Sequence, residues 1–141
     1  MAESSSVRRS SDGAHLLVSR VVDASADHAW DVLTDTTRWP EWGPSVSAVE
    51  CEDRYIEAGT TGRVRTLVGV RVPFEVTRCA PYYWTWRVAR VPATGHRVEP
   101  LADGTCRVTL EVPVPAAPYV PVCLLALRRI ARLVSPPPRP V

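Results

Sequence analysis

The sequence predicts an α+β fold: a curved antiparallel sheet wrapped around one C-terminal helix. Three observations predict it. A β-branched apolar run at residues 16–22 is followed at once by a helical stripe. From residue 45 onward the apolar period changes to two and stays there through several turn signals. After Pro113 the alternation stops, and a second helical stripe leads to the prolines at 136–138. Strand, helix, a run of strands, then helix is the order of an α+β domain.

Each element has its own signal. Residues 1–14, rich in Ser, Arg and Asp, are expected to be a disordered tail. Ser25 caps a helix over residues 26–34, and Asp27 in its first turn favours the helix dipole. Ala26, Ala29, Trp30 and Leu33 form its buried stripe, whereas Asp27, Asp31 and Asp35 recur every four residues as a solvated face. Strands follow at 46–49, 62–68, 71–78, 83–90, 95–99 and 105–114, with turns at Gly69, Ala80-Pro81, Pro92-Ala93 and Asp103-Gly104. The last strand is the cleanest: Cys106, Val108, Leu110, Val112 and Val114 alternate with Arg107, Thr109, Glu111 and Pro113. Such alternation fits a sheet with one covered face and one wet face. A second helix starts at or near Pro121, with Leu124, Leu127, Ala131 and Val134 on one side, and residues 135–141 form a proline-rich tail.

Composition narrows the function classes. The 141 residues suit one domain, placed here at 15–134. All 17 basic side chains are arginine, but 15 acids leave a formal charge of only +2, so nucleic acid is not an expected partner. Cys51, Cys79, Cys106 and Cys123 are widely spaced and no histidines cluster, so neither a metal site nor a cofactor is expected. Cys106, within an alternating apolar run, reads as an inert buried thiol. No signal peptide opens the chain and no run of about 18 apolar residues is evident, so no integral membrane segment is expected. A soluble cytoplasmic protein is the expectation.

Several segments carry a family resemblance. They are Val21-Val22-Asp23-Ala24-Ser25-Ala26-Asp27-His28-Ala29-Trp30, Leu33-Thr34-Asp35 and Trp39-Pro40-Glu41-Trp42, then Gly59-Thr60-Thr61-Gly62, Trp84-Thr85-Trp86, Gly95-His96-Arg97 and Leu101-Ala102-Asp103-Gly104-Thr105. Together they resemble the START-like, Bet v 1-type (SRPBCC) superfamily in its bacterial polyketide cyclase/dehydrase branch. The resemblance spans roughly residues 15–134. It implies a helix-grip fold: seven antiparallel strands around a long C-terminal helix, with two short helices closing one end. It also implies an apolar cavity between sheet and helix for lipids, polyketides or other hydrophobic molecules. The final helix is short for this pattern, and residues 116–120 would form a lid or entrance.

Strand parity selects the candidate site. Trp84, Trp86 and Val88 share one face, Val64 and Thr66 point inward between Arg63 and Arg65, and His96 shares the parity of Val98. The candidate ligand-binding residues are Trp42, Val64, Thr66, Phe74, Trp84, Trp86, His96 and Tyr119. Such side chains hold a planar or fatty ligand by non-directional apolar contact, and they fill a core equally well. Of the Trp39–Trp42 pair, Trp39 is expected against the first helix and Trp42 at the pocket edge. His96 is the candidate catalytic residue, the one histidine placed inside the domain as a neutral-pH proton shuttle. Cyclisation of a poly-β-ketone needs a base at an activated α-carbon and donors for the enolate oxygen, which Tyr83, Tyr119 or an inward arginine would supply. A lone strand histidine is also a common structural residue. Three readings follow: a binding protein for a hydrophobic small molecule, a cyclase, aromatase or dehydratase using the same cavity, and a protein-interaction module with a collapsed cavity.

Overall fold

Eight strands pair antiparallel in one sheet, in the order β1-β2-β8-β7-β6-β5-β4-β3, in the computed structural model, which describes residues 5–136. The strands are β1 Ser6–Arg9, β2 His15–Val22, β3 Ala48–Glu50, β4 Thr61–Arg65, β5 Arg71–Ala80, β6 Tyr83–Val88, β7 Val91–Pro100 and β8 Cys106–Pro113. Between β2 and β3 the chain forms α1 (Ala26–Thr34), a 3-10 turn (Thr36–Arg38) and the one-turn α2 (Trp39–Trp42). After β8 a 3-10 segment (Val114–Tyr119) leads into α3 (Val120–Val134), which packs against β2, β8, α1 and α2. This is the expected helix-grip arrangement: a curved sheet, a long C-terminal helix and two short helices.

The sequence signals explain most of the boundaries. Ser25 Oγ accepts the His28 N–H at 3.1 Å and caps α1 as expected. The inner face of β8 (Cys106, Val108, Leu110, Val112) is wholly buried, as its alternation requires. Cys106 and Cys123 are buried free thiols, and burial pushes their pKa up to about 11 and about 12 respectively. On α3 the buried face is Cys123, Ala126, Leu127, Ile130 and Val134; Leu124 and Ala131 flank it half-buried.

Several expectations need correction. Residues 6–9 are not tail: they form β1, an edge strand paired from Ser6↔Ser19 to Arg9↔Leu16. Residues 1–4 and 137–141 lie outside the described residues. The turn read at Pro92-Ala93 is strand, and the chain reverses instead at Ala89-Arg90, between the paired Val88 and Val91. Both turn residues have positive φ, 52° and 67°, the two-residue hairpin geometry that normally selects Asn-Gly. With neither residue present, the sequence carries no visible turn signal there. On α1 the stripe is Ala26, Ala29, Val32 and Leu33, while Trp30 is half-buried edge-on to Tyr82 at 5.8 Å. Finally, Val114–Val134 is long and apolar enough to cross a membrane by length and composition. Its arginines interrupt the apolar run in sequence, and its buried residues belong to the common core.

The third acid of the supposed solvated face is not solvated. Asp35 is 1 % exposed. One carboxylate oxygen accepts from Thr37 N–H and Thr37 Oγ1, and the other accepts from Arg54 Nε and Nη2 at 3.2 and 3.1 Å. Burial pushes the Asp35 carboxyl up, but the bonds from Arg54 and Thr37 outweigh it and hold the pKa below its ordinary value. This carboxylate turns the chain from α1 into α2. Replacing Asp35 by Ala removes the cap of the 3-10 turn and should cost about 1–2 kcal/mol in chemical denaturation. Conversely, Ala89→Asn with Arg90→Gly should gain about 1 kcal/mol by relieving two left-handed L-residues, read as a raised melting temperature.

Candidate functional site

The concave face of the sheet is aromatic. Trp84 on β6 lies flat between two rings: Trp39 of α2 at 5.3 Å and 4°, and His96 of β7 at 3.7 Å and 6°. Phe74 of β5 tilts against Trp39 at 5.3 Å, and Trp86 closes edge-on to Trp39, Trp84, Phe74 and His96. Trp42 meets His96 edge-on at 6.0 Å. The edge-on contacts and the offset Trp39–Trp84 stack match the ring quadrupoles, and each adds about 0.5–1.5 kcal/mol beyond area burial; Trp84 and His96 instead lie face to face. Phe74 reaches its place because residue 62 is glycine: a Cβ there would stand 2.9 Å from the Phe74 ring and 2.5 Å from Glu50 O.

Local hydrogen bonds hold the helix-borne rings over the sheet. Trp39 Nε1 donates to Leu33 O at 2.9 Å, and Trp42 Nε1 donates to Val32 O at 3.2 Å. Both acceptors are carbonyls at the C-terminal end of α1, which the helix leaves without internal partners. So Trp39 does pack against α1, as expected, but its ring also reaches the middle of the cluster.

His96 is 2 % exposed, and its protonation state follows from its neighbours. Trp84 O can only accept, so His96 Nδ1, 3.4 Å away, carries the proton and donates. Trp86 Nε1 can only donate, and it does so to Thr94 Oγ1 at 3.2 Å. The Thr94 hydroxyl is then free to donate to His96 Nε2 at 3.3 Å. Burial lowers the His96 pKa to about 3, with the Trp84 carbonyl opposing weakly. The ring is therefore neutral at physiological pH, and its one lone pair is engaged.

Of the remaining candidates, Val64 is buried on the inner face of β4. Thr66 sits just past β4 in the hairpin turn, with its Oγ1 buried and unpartnered. Tyr119 is 38 % exposed, and its hydroxyl bonds Ser45 Oγ at 2.6 Å rather than His96. Tyr83, weighed as an enolate donor, is on the outer face: it donates to Glu111 at 2.7 Å and stacks under Arg97. Burial and the Glu111 bond push its pKa up to about 12.

Three participants escaped the sequence reading. Trp39 was assigned to helix packing alone. Thr94 was hidden by the false turn at Pro92-Ala93, although its parity with His96 would have found it. Arg20 is the inward arginine: it pairs with Val108 on the inner face of β2, and its Nε is buried without a partner. Trp84 Nε1 is likewise buried, and neither group has an acceptor among the described residues. Two surface concavities lie elsewhere. One, of about 1020 Å³, is bordered by Glu50, Asp53, Glu57 and Gly62, and the other, of about 1050 Å³, by Ser19, Tyr83, Arg97 and Glu111 on the outer face. Neither is lined by Trp84, Trp86 or His96.

Residues 14–132 match the family described as polyketide cyclase / dehydrase and lipid transport. The chain belongs to this family. It thereby falls within the SRPBCC superfamily that the sequence resembles. Among solved structures, XoxI from Bacillus cereus superimposes with a TM-score of 0.68 at 14 % identity, covering 86 % of this chain and 95 % of that one. A protein from Arthrobacter aurescens gives 0.67 at 14 % identity, covering 92 % and 90 %. The ZhuI aromatase/cyclase from a Streptomyces species gives 0.66 at 15 % identity, covering 85 % and 92 %. At these identities the likeness is one of fold. No curated protein matches the sequence.

The depressed His96 pKa has a thermodynamic consequence. Between pH 6.5, the ordinary histidine value, and about 3, the unfolded chain binds a proton that the folded chain refuses. The stability contributed by neutral His96 is complete above pH 6.5 and is lost as pH falls through that window, at up to about 1.4 kcal/mol per pH unit. His96→Phe should keep the stack and flatten this slope in urea titrations at stepped pH. Equal slopes for the two proteins would refute a depressed His96.

Proposed function

We propose that this protein binds a hydrophobic small molecule, lipid, polyketide or aromatic, between the sheet and α3, without performing covalent chemistry on it. The observation that carries this reading is the buried Trp84 Nε1–H, unpartnered among the described residues, in the middle of an aromatic face. A buried donor without an acceptor costs about 1–3 kcal/mol, and the carbonyl or hydroxyl oxygen of an apolar ligand would recover it. Arg20 Nε, also buried on the inner face, offers a second donor for such an oxygen. Trp86, the half-buried ring of the cluster, is the side chain that gives way on entry, and Trp42, Val64, Phe74 and Trp84 form the walls. Thr66 and Tyr119 border the open end. The free cysteines suit a reducing, cytoplasmic setting.

The likeness to an aromatase/cyclase supports a second reading, in which His96 acts as acid and base on a polyketide-like chain. Its lone pair already takes the Thr94 hydroxyl, and a conjugate acid near 3 makes a weak base, so geometry favours binding over catalysis. The ring-filled concave face speaks for the third reading, an interaction module with a collapsed cavity.

One titration separates them. An anthraquinone, planar and carbonyl-bearing, should quench the tryptophan emission, and Trp86→Ala should weaken its affinity by about tenfold, the equivalent of 1.4 kcal/mol. Native mass spectrometry of freshly purified protein should show a co-purified apolar molecule. An empty protein that no planar or fatty probe quenches would contradict the binding reading in favour of the third. Turnover of a poly-β-ketone that His96→Ala abolishes would establish the second.

A further inference from the structure

The β4–β5 hairpin ends in apolar side chains that nothing covers. Leu67, Val68 and Val70 are 74, 84 and 55 % exposed. The register explains why. Val88, at the end of β6, pairs with Phe74, and Ala89 N–H donates to Pro73 O, so β5 and its turn run on past the neighbouring hairpin. From Pro73 to Val70 that overhang is roughly 10 Å of extended chain. The antiparallel order puts the β6–β7 turn and the start of the 3-10 segment at this same end of the sheet, opposite the start of α1. Val91 and Tyr119, 62 and 38 % exposed, belong to it as well.

Arginines flank this tip: Arg65 and Arg71 on the hairpin itself and Arg90 in the β6–β7 turn at the same end of the sheet. Directly behind the tip, Arg65 and Arg71 are cross-strand partners. Like charges placed opposite each other destabilise a sheet unless something anionic answers them. Arg71 is answered by Glu50 at 2.8 Å, but Arg65 and Arg90 have no ion-pair partner among the described residues. An apolar tip backed by unanswered arginines is complementary to one kind of surface: hydrocarbon beneath a layer of negative headgroups.

We propose that the β4–β5 hairpin tip docks this protein onto anionic phospholipid membranes, with Leu67, Val68 and Val70 entering the interface and Arg65 and Arg90 lying against lipid phosphates. The docking rests on this surface and not on the ligand reading above; either stands if the other falls.

Vesicle co-sedimentation of the full chain tests it, with phosphatidylcholine alone and with phosphatidylcholine mixed with phosphatidylglycerol. The protein should bind the mixed vesicles, bind pure phosphatidylcholine far less, and release as salt is raised. Leu67→Ser with Val68→Ser should weaken binding by about tenfold or more. Arg65→Glu should weaken it independently. All three positions are exposed, so the circular-dichroism melting curves should match the unsubstituted protein. No affinity for the mixed vesicles, or unchanged affinity in both variants, would overturn the proposal. Capture of a protein partner through Leu67 and Val68 without vesicle affinity would overturn it too.

Discussion

The pile of three rings, Trp39 on Trp84 on His96, is the contact on which the rest of the structure depends. One ring comes from the helical connection and two from adjacent strands, so the pile fixes how α1 and α2 sit over the sheet. Its upper ring is anchored through Trp39 Nε1 to the last turn of α1. The turn that makes this possible is organised by Asp35, whose carboxylate binds Thr37 on one side and Arg54 on the other. The lower ring is fixed by the run of donors from Trp86 through Thr94 to His96 and on to Trp84 O. A charged imidazole cannot occupy such a place cheaply, because burial strips the cation of water while the neighbours leave it no counterion.

This constraint separates the chemistry of the molecule into regions. Around Trp84 and His96 the concave face is aromatic, and the charge that shares it is Arg20 on β2. Other ionised groups sit elsewhere: Glu111 with Tyr83 and Arg97 on the outer face, and Asp23, Asp27 and Asp31 exposed near α1. Arginines accumulate toward the end where the β4–β5 hairpin overhangs.

Local periodicity made much of the fold legible. Alternation through Cys106–Val112 and helical spacing from Ala26 to Leu33 place β8 and α1 because side chains there meet the core at a fixed period. What stayed hidden has physical reasons. Edge strand β1 buries none of its residues, so Ser-Val-Arg-Arg carries no apolar pattern to read. The hairpin at Ala89-Arg90 is imposed by the pairing of its strands against turn chemistry. A bulge in β5 between Val76 and Arg78 shifts the register, so that Cys79 rather than Arg78 pairs with the inward Trp84. Strand parity alone puts Trp84, Trp86 and His96 on one face, but it says nothing of Trp39, which comes from the helical connection. The arrangement of the rings was not legible: nothing in the spacing says that Trp39 comes down flat on Trp84.

The central claim, a dry stack that holds His96 neutral, is tested most directly by the ring nitrogens themselves. In ¹⁵N-resolved NMR of the imidazole, His96 should show the neutral Nδ1–H form at pH 7 and keep it as the pH is lowered past 6.5 toward 4. A ring that takes up its proton near 6.5, or one that carries the proton on Nε2, would contradict the account.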